Sequence, residues 1–260
     1  MISATGQTVF LNAEETHHLK QVLRLSSGDR CFVFDPSGRE AVAEILKGSG
    51  SGLAELRIHE MRLGASEPGE KDLLERFFFY VALPKKRKFD TIVEKAQELR
   101  AAHLQPLVTH RTENRIEGGQ SRKVAGRWEK IASEASKQSG ALRFTRIELP
   151  AKLEAALKKI PMKDKIIIFH PDTSAMIFRD WLKETTACLN MGNGGASPGF
   201  SGNYHLFFGP EGGFSPEEIQ AFKGRGGIKI SLGTTVLKTD TAFLSVLAAL
   251  RFQFDGDFGN

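Results

Sequence analysis

Two hydrophobic rhythms divide the chain. Over the first 70 residues the apolar positions come in short, partly alternating runs: Cys31-Phe-Val-Phe34, Glu40-Ala-Val-Ala-Glu-Ile-Leu46 and Leu53-Ala-Glu-Leu-Arg-Ile-His59. Alternation with period two turns one face of a strand inward and leaves the other in water. Turn-forming clusters at Ser27-Gly28-Asp29, Asp35-Pro-Ser-Gly38 and Gly48-Ser-Gly-Ser-Gly52 separate the runs, so the segment predicts a small β-barrel. Residues 64–70, Gly-Ala-Ser-Glu-Pro-Gly-Glu, predict a linker.

From Phe77 the pattern changes. Phe77-Phe-Phe-Tyr-Val-Ala-Leu83 is apolar throughout, as a strand covered on both faces must be. Phe89, Ile92, Val93, Ala96 and Leu99 then recur at helical spacing, as do Val124, Trp128, Ile131, Ala132 and Ala135. Further strands are predicted over 104–108, 144–148, 165–169, 205–208 and 228–231, with helical patterns after most of them. The last, over 241–252, is apolar almost all round and therefore predicted to be buried. Such alternation means a parallel α/β domain. Residues 190–203 interrupt it as a Gly-rich loop, and the expected domains are 1–70 and 71–260.

Composition adds limits. With 260 residues, 40% hydrophobic and 26% charged, the chain has enough apolar material for a real core. It contains no apolar run of membrane-spanning length and no basic-then-apolar export signal, so a membrane partner is not expected. Cys31 and Cys188 stand far apart without metal-ligand spacing, which predicts free thiols, a cytoplasmic setting and no metal. The net charge of +5 is unevenly spread: residues 1–70 carry −3, residues 71–150 carry +7 and residues 151–260 carry +1. The basic middle predicts a polyanionic partner or a solvated face.

Ligands of open parallel sheets bind beyond the carboxyl ends of the strands. Three strand exits here carry unusual residues. The first, after a strand ending at Phe208, is Gly209-Pro210-Glu211-Gly212-Gly213-Phe-Ser-Pro-Glu-Glu218, with Ser215 as N-cap, Pro216 at N1 and Glu218 at N3 of the next helix. It matches neither the dinucleotide nor the P-loop motif, and Glu217 and Glu218 occupy the helix end that a phosphate would need. A nucleoside ligand without phosphate fits, and so does a tight turn that needs glycines for its backbone. The second exit is Leu232-Gly233-Thr-Thr-Val236-Leu237-Lys238-Thr-Asp240-Thr-Ala242, where Lys238 and Asp240 flank a helix start near Thr239. The third is His170-Pro171, ending the strand over 165–169.

Together, Gly209-Pro-Glu-Gly-Gly213 and Leu232-Gly-x-x-x-Leu-Lys-Thr-Asp-Thr-Ala242 resemble the ribosomal RNA small subunit methyltransferase E family. His17-His-Leu-x-x-Val-Leu-Arg-Leu25 is similar to the opening of that family's PUA-like domain. Ile92-x-x-Lys95-x-x-Glu98-Leu99 and Trp128-x-Lys-Ile-Ala-x-Glu-Ala-x-x-Gln-Ser-Gly140 are similar to two of its signature helices. Where the family usually has Leu-Arg-Thr-Glu-Thr-Ala, this chain reads Leu237-Lys-Thr-Asp-Thr-Ala242. The change gives up the planar fork of arginine and shortens the carboxylate's reach by one methylene.

The resemblance implies a SPOUT-type α/β domain with a C-terminal trefoil knot, a PUA-like β-barrel before it, and a homodimer. It implies S-adenosylmethionine (SAM) as cofactor, cradled by His170, Pro171, Phe208, Gly209, Pro210, Glu211, Gly212, Gly213, Leu232, Gly233, Val236 and Leu237. The implied reaction methylates uridine N3 in 16S rRNA of the small ribosomal subunit or its precursor, with Lys238 stabilising charge and Asp240 positioning. Lys20, Arg24, Lys85, Lys86, Arg87, Lys88, Arg111 and Arg115 would meet RNA phosphates. A SPOUT enzyme with another acceptor, such as ribose 2′-O, or a non-catalytic ribosome-assembly factor would carry the same motifs.

Overall fold

The structure is a computed structural model that describes residues 2–35, 39–47, 52–62, 73–85, 88–113, 120–141, 143–172, 174–191 and 201–254. The expected linker over 64–70 and the turn residues 36–38 and 48–51 lie outside the described residues, as does most of the Gly-rich loop. The chain divides into two compact units, Met1–Glu70 with Leu142–Phe144, and Lys71–Ala141 with Thr145–Asn260.

The first unit is antiparallel. Strands β1 (Thr8–Phe10), β2 (Arg30–Phe34), β3 (Glu40–Lys47) and β4 (Glu55–Arg62) pair in the order β1-β4-β3-β2. Period-two patterning decides which face is covered: Ala41, Ala43 and Ile45 of β3 are buried together with Leu56 and Ile58 of β4, Leu19 and Ile2. A short helix α1 (Ala13–His17) is capped by Asn12, whose side chain accepts from the Glu15 amide at 2.8 Å, and a π-helical turn over His18–Val22 follows it. Sequence patterning predicts a barrel, but among the described residues β1 and β2 remain edge strands and no pairing closes the sheet. The strand expected over 53–59 is found as β4, Glu55–Arg62, and its register against β3 shifts between Ile45 and Lys47.

The second unit is built on parallel pairing alone. Its strands are β5 (Phe77–Ala82), β6 (His103–Val108), β7 (Arg146–Ile147), β8 (Ala151–Lys152), β9 (Lys165–Phe169), β10 (Met176–Ile177), β11 (Tyr204–Phe208) and β12 (Ile228–Ser231). They run β10-β12-β9-β11-β5-β6-β7, with β8 also on β6. The strand expected over 144–148 shrinks to Arg146–Ile147, since Phe144 belongs to the first unit, where its ring lies 6.2 Å from that of Phe34.

Side chains leave alternate faces of this sheet into two separate cores. Phe77, Phe79 and Val81 share one with Ile167, Phe169, Leu206, Phe208 and Ile230. Helices α2 (Lys88–Glu98), α3 (Ser121–Ser139), α5 (Phe178–Met191) and α7 (Thr239–Phe254) cover that face through residues such as Val93, Trp128, Trp181 and Phe243. Tyr80, Ile166, Ile168 and Phe207 enter the other core, covered by α4 (Leu153–Lys159) and α6 (Pro216–Lys223). Both faces being dry explains the unbroken apolar runs in β5, β9 and β11.

One polar chain crosses this dry region. The Tyr80 hydroxyl meets His205 Nδ1 at 3.0 Å, and His205 Nε2 meets Asp164 Oδ2 at 3.0 Å. Asp164 also accepts from the Asn203 amide at 3.0 Å. Burial pushes the His205 imidazole below its ordinary value, with the Asp164 carboxylate opposing. A lowered folded-state value means the fold prefers neutral histidine. Its contribution is present in full above the ordinary 6.5 and is lost as pH falls from there through the folded value. His205→Leu leaves the buried Tyr80 hydroxyl without its histidine and Asp164 with Asn203 alone, and should cost about 3 kcal/mol in urea unfolding. The same variant should also flatten the loss of stability between neutral and mildly acidic pH. An unchanged pH slope would remove His205 as its source.

Candidate active site

Parallel pairing puts the carboxyl ends of β12, β9, β11, β5 and β6 side by side on one edge. All three motif-bearing exits therefore meet there, from strands that are neighbours in the sheet although distant in sequence. Phe169 at the end of β9 stacks on Phe208 at the end of β11, with ring centroids 4.6 Å apart. Phe243 of α7 meets Phe208 edge-on at 5.7 Å. These aromatic rings form an apolar floor beneath the exits.

A pocket opens at the β9 and β12 exits. Of the residues expected around a cofactor, it is lined by His170, Pro171, Leu232, Gly233, Val236 and Leu237; Phe169, Ser231, Thr235 and Ala242 complete it. Gly233 has φ +121°, a backbone that L side chains rarely adopt, and the Ser231 hydroxyl donates to its carbonyl at 3.1 Å. Val236 is 74% exposed, which is unusual for a large aliphatic side chain beside a pocket. His170 Nδ1 is buried and has no hydrogen-bond partner among the described residues. A buried nitrogen left unpaired costs free energy unless something else pairs with it. Burial, then the nearby Lys229 ammonium, pushes His170 below its ordinary value, and Asp172 opposes them. Asp172 is itself held far down by Lys229 at 2.9 Å and by the Ser174 amide and hydroxyl.

The β11 exit stands beside this pocket and does not line it. Its loop is anchored at both ends. The Thr239 hydroxyl donates to the Gly209 carbonyl at 2.7 Å, tying the loop to the first turn of α7. At the other end Ser215 and Glu218 form the expected capping box on α6. Glu218, only 4% exposed, also accepts from the His110 amide at 2.8 Å, just past β6. Between the anchors, the Gly213 amide donates to the Pro210 carbonyl at 2.8 Å with Gly213 at φ +70°. Arg111 donates to the Gly212 carbonyl. A Cβ on Gly209 would lie 3.1 Å from the Phe214 ring, so glycine allows that close approach. The sequence marked the glycines and the cap; it put Arg111 among RNA contacts and Thr239 at a helix start, and nothing local ties either of them, or His110, to this loop.

Lys238 and Asp240 flank the start of α7 as expected. Lys238 is exposed and its carbonyl accepts from the Ala242 amide at 2.8 Å. The Asp240 carboxylate accepts from the Thr241 amide at 2.9 Å. Of the expected RNA contacts, Lys85 is exposed at the β5 exit and paired with Glu113 at 2.7 Å, and Lys88 opens α2. Lys86, Arg87 and Arg115 lie outside the described residues. Lys20 and Arg24 belong to the first unit, Lys20 beside a groove with His17 and Gln21, and Arg24 at φ 56°. Among the described residues no cluster of His, Cys, Asp or Glu could hold a metal ion, and no helix is long and apolar enough to cross a membrane.

The electrostatics beside the pocket can be tested directly. Lys229→Met should raise the His170 titration midpoint in an NMR experiment, because it removes a repelling cation and leaves Asp172 unopposed. Asp172→Asn should lower it. Two unmoved midpoints would show that burial alone controls His170.

Known proteins resemble this arrangement over its whole length. Residues 73–251 match the RNA methyltransferase domain and residues 11–58 the RNA methyltransferase PUA domain. Ribosomal RNA small subunit methyltransferase E of Bacillus subtilis is 26% identical over 246 residues, covering 95% of this chain and 90% of that protein. The protein of the same name from Synechocystis is 28% identical over 256 residues, covering 94% and 73%. A candidate methyltransferase from Legionella pneumophila, solved in complex with the bound cofactor SAM, superposes with a TM-score of 0.77 at 26% identity, covering 97% of this chain and 94% of that one. With the first unit matching the PUA domain and the second the catalytic domain, this chain belongs to the RNA methyltransferase family.

Proposed function

We propose that the chain transfers a methyl group from SAM to N3 of a uridine in 16S rRNA, in the small ribosomal subunit or its precursor. Its relatives carry the name ribosomal RNA small subunit methyltransferase E, which supports the RNA class. The observation that carries the cofactor is the pocket at the β9 and β12 exits, which the Phe169 ring helps to line and where His170 Nδ1 is buried and, among the described residues, unpaired. Such a surface fits a heterocycle and ribose with hydrogen-bonding edges, and among the described residues no Lys or Arg lines it. His170, Pro171, Leu232, Gly233, Val236 and Leu237 would hold SAM from one side, and the loop from Phe208 to Gly213 from the other. The bound group supplies an activated methyl on a sulfonium.

The chain's own residues then have three tasks. Uridine N3 is paired within a duplex, so the base must be held unpaired at the sheet edge. Lys238, exposed at the start of α7, would stabilise negative charge on the uracil oxygens as the N3 proton passes to solvent water and N3 takes up the methyl. Asp240 is engaged with the Thr241 amide and serves to orient the helix start rather than to take a proton. Lys85, Lys86, Arg87, Lys88, Arg111 and Arg115 form the RNA phosphate contacts of the second unit, and Lys20 and Arg24 those of the first. The exits after β9, β11 and β12 would be the threads of a trefoil knot, and the working form is a cytoplasmic homodimer.

Three measurements test this. Mass spectrometry of 16S rRNA treated with protein and SAM should find the new methyl on a uridine base; a methyl on ribose, or none, would overturn the acceptor. Gly233→Val should weaken SAM binding at least severalfold in calorimetry, because the residue sits at φ +121°. Lys238→Ala should slow single-turnover transfer about tenfold to a hundredfold while SAM affinity holds, and Asp240→Asn should keep measurable activity. Full-speed transfer by Lys238→Ala would move charge stabilisation to another residue.

A further inference from the structure

The loop between Gly209 and Ser215 has secured ends and an exposed apex. Thr239 holds one end through the Gly209 carbonyl, and Glu218 holds the other through the Ser215 amide at 2.8 Å. Glu211 and Gly212 at the apex are exposed. There Arg111 reaches across from the β6 exit and donates through Nη1 to the Gly212 carbonyl. Its aliphatic stem lies against the same residue, with Cδ 3.4 Å and Cβ 3.7 Å from where a Gly212 side chain would begin. At these distances, ordinary van der Waals contact, the arginine stem lies along the loop backbone. Arg111 is in turn fixed at its root, since the preceding His110 amide is bound to buried Glu218. One carboxylate thus holds the base of α6 and the strand exit that carries the arginine.

A purely phosphate-binding arginine has no need of such a seat. We propose that Arg111 is a positioning residue for the cofactor: it sets the apex of the glycine loop in the SAM-binding conformation before RNA arrives. This rests on the proposed placement of SAM against that loop. A guanidinium suits the task because it cannot lose its proton and its fork keeps other N–H groups free for a second acceptor. An ammonium on the same stem could reach the carbonyl but would hold its direction less firmly.

SAM titrated into the full chain by calorimetry, with no RNA present, provides the test. Arg111→Ala should weaken SAM about tenfold, the scale of one lost charge-assisted hydrogen bond. Arg111→Lys should recover part of that loss, and the thermal midpoint of both variants should stay near that of the unaltered chain, since residue 111 is exposed. Equal SAM affinity in Arg111→Ala and the unaltered chain would overturn the inference and leave Arg111 with its proposed phosphate contact alone. A thermal midpoint that falls along with affinity in both variants would also overturn it, as a general loss of structure. If the unaltered chain binds no SAM, the cofactor placement itself fails and the inference goes with it.

Discussion

Everything at this site depends on a sheet whose strands all run one way and whose two faces are both dry. Parallel pairing sends every strand into the same edge with its carbonyls leading, and burial of both faces leaves that edge as the place where polar backbone and ligand can meet. Phe77, Phe79 and Val81 on one face and Tyr80 on the other show how strictly β5 obeys this constraint. The sites for chemistry are therefore fixed before any particular side chain is chosen.

The exits are then joined by bonds from elsewhere in the chain. Thr239 closes β11 against α7, Glu218 closes β6 against α6, and Arg111 spans the space between. Each uses a hydroxyl, carboxylate or guanidinium on a main-chain group. Such pairings hold a loop's path while leaving its side chains available. Within the sheet, the Tyr80–His205–Asp164 chain does different work, pairing buried side chains with one another.

Much of this was legible in the residues. The apolar runs of β5, β9 and β11, the Ser215 capping box and the glycine loop follow from local chemistry and appear where patterning puts them. What escaped is non-local. The two-residue strands β8 and β10 bury too little to leave a period, and β1 is three residues long. Phe144 looks like the start of a strand but packs with Phe34 in the other unit. Arg111 reads as one more basic residue until the fold brings Gly212 to its side chain. The motif residues His170, Gly233 and Leu237 were recognisable as a set, yet nothing in their spacing showed that they share one pocket wall.

Phe169 belongs to the hydrophobic core and to the pocket at once, with Phe208 stacked behind it and Phe243 edge-on to Phe208. No layer of spare packing separates the two. A cavity opened at Phe243 would thus reach the pocket through Phe208, as a softened Phe169 wall, and a bulkier ring there would press on the same stack. Interiors packed to crystal-like density transmit such volume changes rather than absorb them. Drift in the core is consequently tied to the shape of the pocket, so that lineages adjusting their thermal stability through these three rings would reshape its Phe169 wall in the same step.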